Sequence, residues 1–417
     1  MIGRAQKVWL LTSLYLAQGL PYGFFTQALP VLLRDLGYSL TAISATSFLF
    51  LPWALKFLWA PYVDALGTRR SWLLPLQLAA VMGSLLLATV DIGAALWLLF
   101  VALFFFNLVA ATQDIATDGL AVNLLTPQER GLGNGIQVGA YRIGMILGGG
   151  LLLWVFAKAG WSVMFLGMAA LLALTVPAVL ALREPPRVAA VTPLRTRALA
   201  AGWIARLRQP GIPLFIGLIC FYKFGDSMGA SLVGPYMRDA GMTKEAIALV
   251  KGALGSGATL IGAGIGGWLA YTYGRRSALL WSGLLQTLSL MLYAASAFGY
   301  GGHDLIAIAC IAEHVLGGMA VVALFTLMMD ACDPAHASTD YTLLACALVV
   351  GHGLASMSGG LVADFAGYAP LFVCSVLLSG IGCLTLVHAL DRQRGPARIQ
   401  SVWVAAGKPA PTTAGVS

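Results

Sequence analysis

Asp114 and Asp118 stand four residues apart inside an apolar run that begins near Leu96. That spacing places both carboxylates on one face of a helix. Two carboxylates facing one cavity repel, which makes proton uptake by one of them feasible. Ionisable groups inside a membrane span are costly enough to be functional candidates, normally with a partner nearby. The candidate partners are Arg142 and Lys56, each within another apolar run. Two readings of this set stand open: proton coupling or gating, or a static charge cluster that fixes helix packing. Lys56 has a third, in which its stem carries the charge toward an interface. Further along, Lys223 and Asp226 are three residues apart. They either neutralise each other across one turn or leave Lys223 as a cation for an anionic substrate. Glu313 has no Lys or Arg within a turn and is the strongest single proton-site candidate of the second half. Its neighbour His314 titrates near neutral pH in an ordinary environment. Cations beside aromatic rings suit a compact, anionic, often aromatic solute. Arg142, Lys223 and Lys56, with Tyr22, Tyr141 and Asp226, are therefore the expected substrate-binding set, and Tyr15, Phe24 and Tyr222 the further rings around them.

These residues need apolar helices to hold them. Only 10% of the 417 residues are charged and 59% are hydrophobic, too few charges to keep a soluble chain of this length dissolved. A membrane span takes about 20 apolar residues, and backbone amides in lipid must pair within a helix or a closed barrel. The apolar runs exceed the alternating segments of a barrel, so the expected class is an all-α polytopic membrane protein. Twelve spans are expected: 8–33, 43–62, 72–90, 95–123, 131–156, 161–182, 211–236, 244–270, 277–299, 304–330, 338–365 and 369–390. The first is too long for a signal-peptide core and lacks a small-residue cleavage site. Residues 183–210, with six arginines and Pro185, Pro186, Pro193 and Pro210, read as a linker. The expected organisation is thus a six-helix half over 1–182, a cytoplasmic linker over 183–210, a second half over 211–390 and a tail over 391–417. With the N-terminus inside, cytoplasmic loops and tails hold 17 of the 25 Lys and Arg residues, which places both termini in the cytoplasm.

Several functions are disfavoured. The net charge of +8 sits in membrane-flanking loops, so it does not call for nucleic acid. Six cysteines, all in the second half, show no C-x-x-C spacing, and neither disulfide, metal nor cofactor is expected. Gly144 to Gly150 and Gly255 to Gly266 follow no strand, so they read as close helix packing and not as phosphate loops. Neither H-E-x-x-H nor G-x-S-x-G occurs, and no enzyme activity is expected.

The chain also repeats itself. Arg34-Asp35-x-Gly37-x-Ser39-x-x-Ala42-Ile43 recurs as Arg238-Asp239-x-Gly241-x-Thr243-x-x-Ala246-Ile247. Gly67 and Arg69 match Gly274 and Arg276, Pro127 matches Pro334, and Gly160-Trp161 matches Gly367-Tyr368, each at an offset of 207. Fixed-offset similarity marks a duplicated architecture, and parallel six-helix halves are the arrangement of major facilitator transporters.

The loop Asp64-Ala65-Leu66-Gly67-Thr68-Arg69-Arg70 resembles the major facilitator signature, with Ala60 in place of its leading Gly and Thr68 at a basic position. The counterpart Gly267 to Arg276 carries Tyr271 where the acid would be. The resemblance implies the major facilitator fold and a latch in which Asp64 and Arg69 gate the cytoplasmic side. Leu51 to Pro61, Gln113-Asp114-Ile115-Ala116-Thr117-Asp118-Gly119 and Glu129-Arg130-Gly131 are similar to motifs of the AmpG muropeptide permeases. The opening Tyr15 to Phe25 and the Pro52-Trp53 form look closer to the compact RhtX/FptX siderophore permeases. That branch implies an inner-membrane importer of a ferric siderophore of pyochelin type, driven by protons. The alternatives are a muropeptide permease and a multidrug exporter, and the lack of Pro from Gly139 to Gly150 leans against the last. The expected partners are a small-molecule substrate, protons and membrane lipids.

Overall fold

The computed structural model describes residues 3–29, 33, 49, 51–89, 96–184 and 202–403. The first repeat copy (Arg34 to Ile43), linker residues 185–201 and the tail beyond 403 lie outside the described residues. Every regular element among the described residues is helical. An apolar run satisfies its backbone amides that way without water.

Packing divides the chain into two compact units. The first comprises Met1–Leu125, Ile136–Arg206 and Asp333–Cys346; the second comprises Thr126–Gly135, Leu207–Cys332 and Ala347–Ser417. The two segments grouped away from their sequence neighbours begin at 126 and 333, separated by the same 207 residues as the repeated motifs.

In the first unit, α1 (Arg4–Gly23) contains Pro21 and runs into a π-helical turn at Phe24–Ala28. A proline lacks the N–H that would continue the helical ladder, and a shifted turn next to it is a common accommodation. The second apolar run is broken into α2 (Leu51–Leu55), a 3-10 turn (Lys56–Leu58) and α3 (Ala60–Ala65). Pro61 occupies the first turn of α3, where no N–H is missed. There follow α4 (Arg69–Thr89), α5 (Leu96–Leu124), α6 (Arg130–Met145), a π segment (Ile146–Leu151), α7 (Leu152–Ala173), α8 (Val176–Leu180) and α9 (Gly202–Leu207). Residues 110–122 of α5 are buried on every side. A helix without a polar face belongs in the interior, and here it carries Asp114 and Asp118 inward with it. Helix α6 approaches α1 through glycines: a Cβ at Gly144 would lie 2.5 Å from the Leu16 carbonyl oxygen.

The second unit contains α10 (Ile212–Ala230), α11 (Val233–Asp239), α12 (Lys244–Ile247), a π segment (Ala248–Leu254), α13 (Gly255–Thr272), α14 (Gly274–Ala297) and α15 (Gly302–Ala331). A 3-10 turn (Pro334–His336) leads to α16 (Ala337–Ala366), both grouped with the first unit as far as Cys346, and α17 (Tyr368–Asp391) and α18 (Ala397–Gln400) complete the second. Gly262 and Gly266 of α13 press against α15, where a Cβ at Gly266 would sit 2.7 Å from the Met319 carbonyl oxygen. The glycine runs therefore serve helix contact, as small residues do in membrane bundles.

The repeat is visible in the backbone. Gly160 (φ 82°, ψ −177°) and Gly367 (φ 87°, ψ 179°) make the same turn at equivalent positions, in a region reserved for glycine. Gly160 splits α7 into two helical pieces. Nine helices among the described residues are long and apolar enough to cross a membrane. Large apolar side chains face outward, including Phe365 (88% exposed) and Leu174 (74%), a surface suited to lipid and not to water.

Candidate functional site

Three polar clusters are built into this apolar frame. The first lies in the first unit. The 3-10 turn after α2 turns Lys56 inward; the residue is 6% exposed, and its ammonium forms an ion pair with Asp114 and lies 5.3 Å from the Trp53 ring centroid. A buried charge needs such a partner, so Lys56 does not extend to the interface. The Trp53 indole donates to Asn107 Oδ1 (3.1 Å) and the Trp59 indole to Thr112 Oγ1 (3.2 Å), fastening the broken segment to α5. Asp118, one turn from Asp114, accepts from the Tyr15 hydroxyl (3.0 Å) and Gln137 Nε2 (3.4 Å). Arg142 is half-buried and within electrostatic reach of Tyr22 and Tyr141, whose ring centroids are 5.5 Å apart. Tyr22 also meets Trp53 edge-on at 5.7 Å. Asp114, Asp118, Lys56, Tyr22, Tyr141 and Arg142 are thus gathered on α1, the α2–α3 break, α5 and α6. The cluster offers aromatic faces, a cation and a carboxylate held by neutral donors. The Gln18 amide, 1% exposed, finds no hydrogen-bond partner among the described residues.

The second cluster closes the ends of helices within the same unit. Asp64 pairs with Arg69 (2.5 Å), which is 1% exposed and also donates to the Val63 carbonyl (2.8 Å). The Asp64 carboxylate accepts from the backbone amides of Ser338 (3.0 Å) and Thr339 (2.7 Å) and from Thr339 Oγ1 (2.6 Å). It therefore covers the otherwise unpaired N–H groups at the start of α16, where the helix dipole favours an anion. Two further residues, not anticipated from sequence, act at the same place. Arg206 of α9 forks onto Asp340 through two contacts of 2.6 Å, and Trp203 packs edge-on against Phe57 at 5.4 Å.

The third group lies in the second unit. Lys223 and Asp226 form an ion pair across one turn of α10. Glu313 pairs with its neighbour His314 (2.9 Å) on α15. Asp330, whose side chain is fully buried, holds Arg130 (2.7 Å) and Arg275 (2.5 Å). Arg275 also donates to the Pro127 carbonyl. Tyr271 stands where the second signature loop would have its acid, and Asp330 supplies one from the end of α15. Its position at the close of a long apolar run was the available signal. No group of three or more metal-ligating side chains occurs among the described residues.

Comparison with known proteins agrees with this architecture. The model of the family described as Major Facilitator Superfamily matches residues 11–356. The anhydromuropeptide permease of Escherichia coli K12 is 29% identical over 386 residues, covering 91% of this chain and 78% of the relative. An uncharacterised Haemophilus influenzae protein is also 29% identical, over 90% of this chain and 93% of its own length. Among solved structures, the transporter FucP superposes with a TM-score of 0.72 at 14% identity, covering 93% of this chain and 98% of that one. A bacterial homologue of the iron transporter ferroportin gives 0.71 at 16% identity, over 94% and 100%. At these identities the structural likeness speaks to fold alone.

Proposed function

The chain belongs to the Major Facilitator Superfamily and is a multi-pass membrane transporter, and on that premise we propose that it is an inner-membrane permease carrying anhydromuropeptide-like cell-wall fragments into the cytoplasm. The observation that carries this reading is the 29% identity, spread over nine-tenths of the chain, to a protein bearing that activity in its name. The first cluster supports it chemically. A wall fragment combines sugar rings, amides and carboxylates. Trp53, Tyr22 and Tyr141 offer ring faces, and Arg142 offers a fork for a carboxylate. In the proposed topology twelve spans form two six-helix halves, 1–182 and 211–390, joined by a cytoplasmic linker, with both termini cytoplasmic. Asp114 and Asp118 couple transport to protons, while Asp64 and Arg69 form a cytoplasmic latch. Lys223 and Asp226 complete the substrate-binding set. The ferric-siderophore reading keeps one specific support, the Tyr15 to Phe25 opening and the Pro52-Trp53 form; the named relatives favour wall fragments over it.

Expression in a bacterium deleted for its own anhydromuropeptide permease tests the proposal. Restored uptake of wall fragments, measured as their disappearance from the spent medium, is the expected result. Continued loss of fragments to the medium, with the protein present in the membrane, contradicts it.

A further inference from the structure

The first cluster contains amide groups that no contact within the chain explains. Tyr15, Gln18 and Tyr22 follow one another along α1 at spacings of three and four residues, so they form one stripe of the helix. At one end of the stripe the Tyr15 hydroxyl donates to Asp118 (3.0 Å). At the other, Tyr22 meets Tyr141 and Trp53, with ring centroids 5.5 and 5.7 Å away. Gln137 and Tyr141, four residues apart on α6, form the facing stripe, and Gln137 Nε2 lies 3.4 Å from the same Asp118 oxygen that Tyr15 reaches. The two helices are in close contact there, since Gly19 abuts the Tyr141 carbonyl. Gln18 therefore lies between the carboxylate on one side and the aromatic rings on the other.

Gln18 is 1% exposed, and neither its Nε2 nor its Oε1 has a hydrogen-bond partner among the described residues. Turning the amide over changes nothing, because a donor and an acceptor are both idle. Gln137 is 9% exposed, and its NH2 is fixed toward Asp118, which as a carboxylate only accepts. Its Oε1 therefore points elsewhere, and it too is buried without a partner. Buried polar groups are nearly always paired, because an unpaired one loses its hydration for nothing in return. The idle groups here are one NH2 and two carbonyl oxygens, all neutral. A trans secondary amide carries its C=O and its N–H on opposite edges, which suits one glutamine on each of two helices better than a hydroxyl does. The rings of Tyr22 and Tyr141 offer a face to a sugar. An amide substituent on such a sugar reaches one helical turn deeper, to Gln18.

Resting on the wall-fragment reading of this site, we propose that Gln18 and Gln137 form a subsite for an acetamido group of the cargo. Gln18 Nε2 donates to the acetamido carbonyl, and the acetamido N–H donates to Gln137 Oε1. The pair selects N-acetylated sugars over free amino sugars, because an ammonium offers donors alone and leaves the Gln18 NH2 unpaired.

Equilibrium binding to the purified full-length protein in nanodiscs tests this, with an anhydromuropeptide and the same compound N-deacetylated as the two ligands. The wild type is expected to favour the acetylated ligand by at least about tenfold, and Gln18→Leu and Gln137→Leu each to reduce that preference about tenfold. Comparing two ligands on each protein cancels the effect of the altered ligand charge. The ligand-free Gln18→Leu protein is expected to melt no lower than the wild type, because the substitution removes two idle polar atoms. A lower thermal midpoint marks Gln18 as a structural group satisfied by water, and overturns the proposal. Equal affinity of the wild type for both ligands, or an unreduced preference in either variant, overturns the proposal and leaves the wall-fragment reading standing. Binding of neither ligand by the wild type overturns both.

Discussion

Lys56 and Asp114 are both withdrawn from solvent, with side chains 7% and 11% exposed, so each exists as a charge because of the other. Removing one partner of a buried pair typically costs about 3–5 kcal/mol, whereas replacing both is often neutral. Lys56→Met is therefore expected to lower the thermal midpoint of the detergent-purified protein, and Lys56→Met with Asp114→Leu to recover most of the loss. A double variant no more stable than the single one would show that the pair is not a closed unit. Asp118 differs, because Tyr15 and Gln137 hold it with neutral donors and the paired lysine is spent on Asp114. A carboxylate so held can exchange a proton without breaking an ion pair. Asp118→Asn should abolish accumulation against a gradient and retain exchange of labelled for unlabelled solute across proteoliposomes. Loss of both activities together would assign Asp118 to solute binding and not to coupling.

At the scale of the element, the start of α16 is held from two directions. Asp64 covers its first amides, and Arg206 of α9 grips Asp340 one residue beyond Thr339. Loss of an N-terminal cap costs about 0.5–2 kcal/mol. Asp64→Ala also withdraws the carboxylate from an arginine that is 1% exposed, which adds the cost of a disturbed buried charge. Asp64→Asn retains an acceptor for the amides while losing the charge. The expected order of thermal stability is wild type, then Asp64→Asn, then Asp64→Ala, read by unfolding in detergent. Equal destabilisation by the two substitutions would place the whole effect in the Arg69 pair and none in the cap. The importance of Asp64 was legible from its signature loop. Its acceptance of the Ser338 and Thr339 amides was not, because 274 and 275 residues separate the partners and no local pattern encodes that meeting.

Over the whole molecule, the duplication accounts for most of what was legible in advance. From α14 to α17 the helix ends fell within a few residues of the apolar runs, since the lipid-length rule acts locally, whereas the runs 43–62, 161–182 and 211–236 are each broken inside. Gly160 and Gly367, matched as letters, share one backbone conformation. Gly160→Ala and Gly367→Ala should each destabilise by about 1–3 kcal/mol, measurable as comparable drops in thermal midpoint. A harmless substitution at one of the two positions would break the equivalence. Tertiary partners were less legible. Asp330 answers Arg275 from another helix, and Arg206 lies in a stretch whose composition suggested only a linker. Substrate identity was the least legible, because short motifs shared by wall-fragment and siderophore permeases report ancestry and helix breaks more than cargo. What is transported is therefore the property to measure. Proteoliposomes containing the purified protein, given an inwardly directed proton gradient, can be offered a radiolabelled anhydromuropeptide or a labelled ferric pyochelin in parallel. The expected result is gradient-dependent accumulation of the anhydromuropeptide, abolished by Arg142→Ala. Accumulation of the ferric chelate, with the wall fragment left outside, would contradict the proposed function.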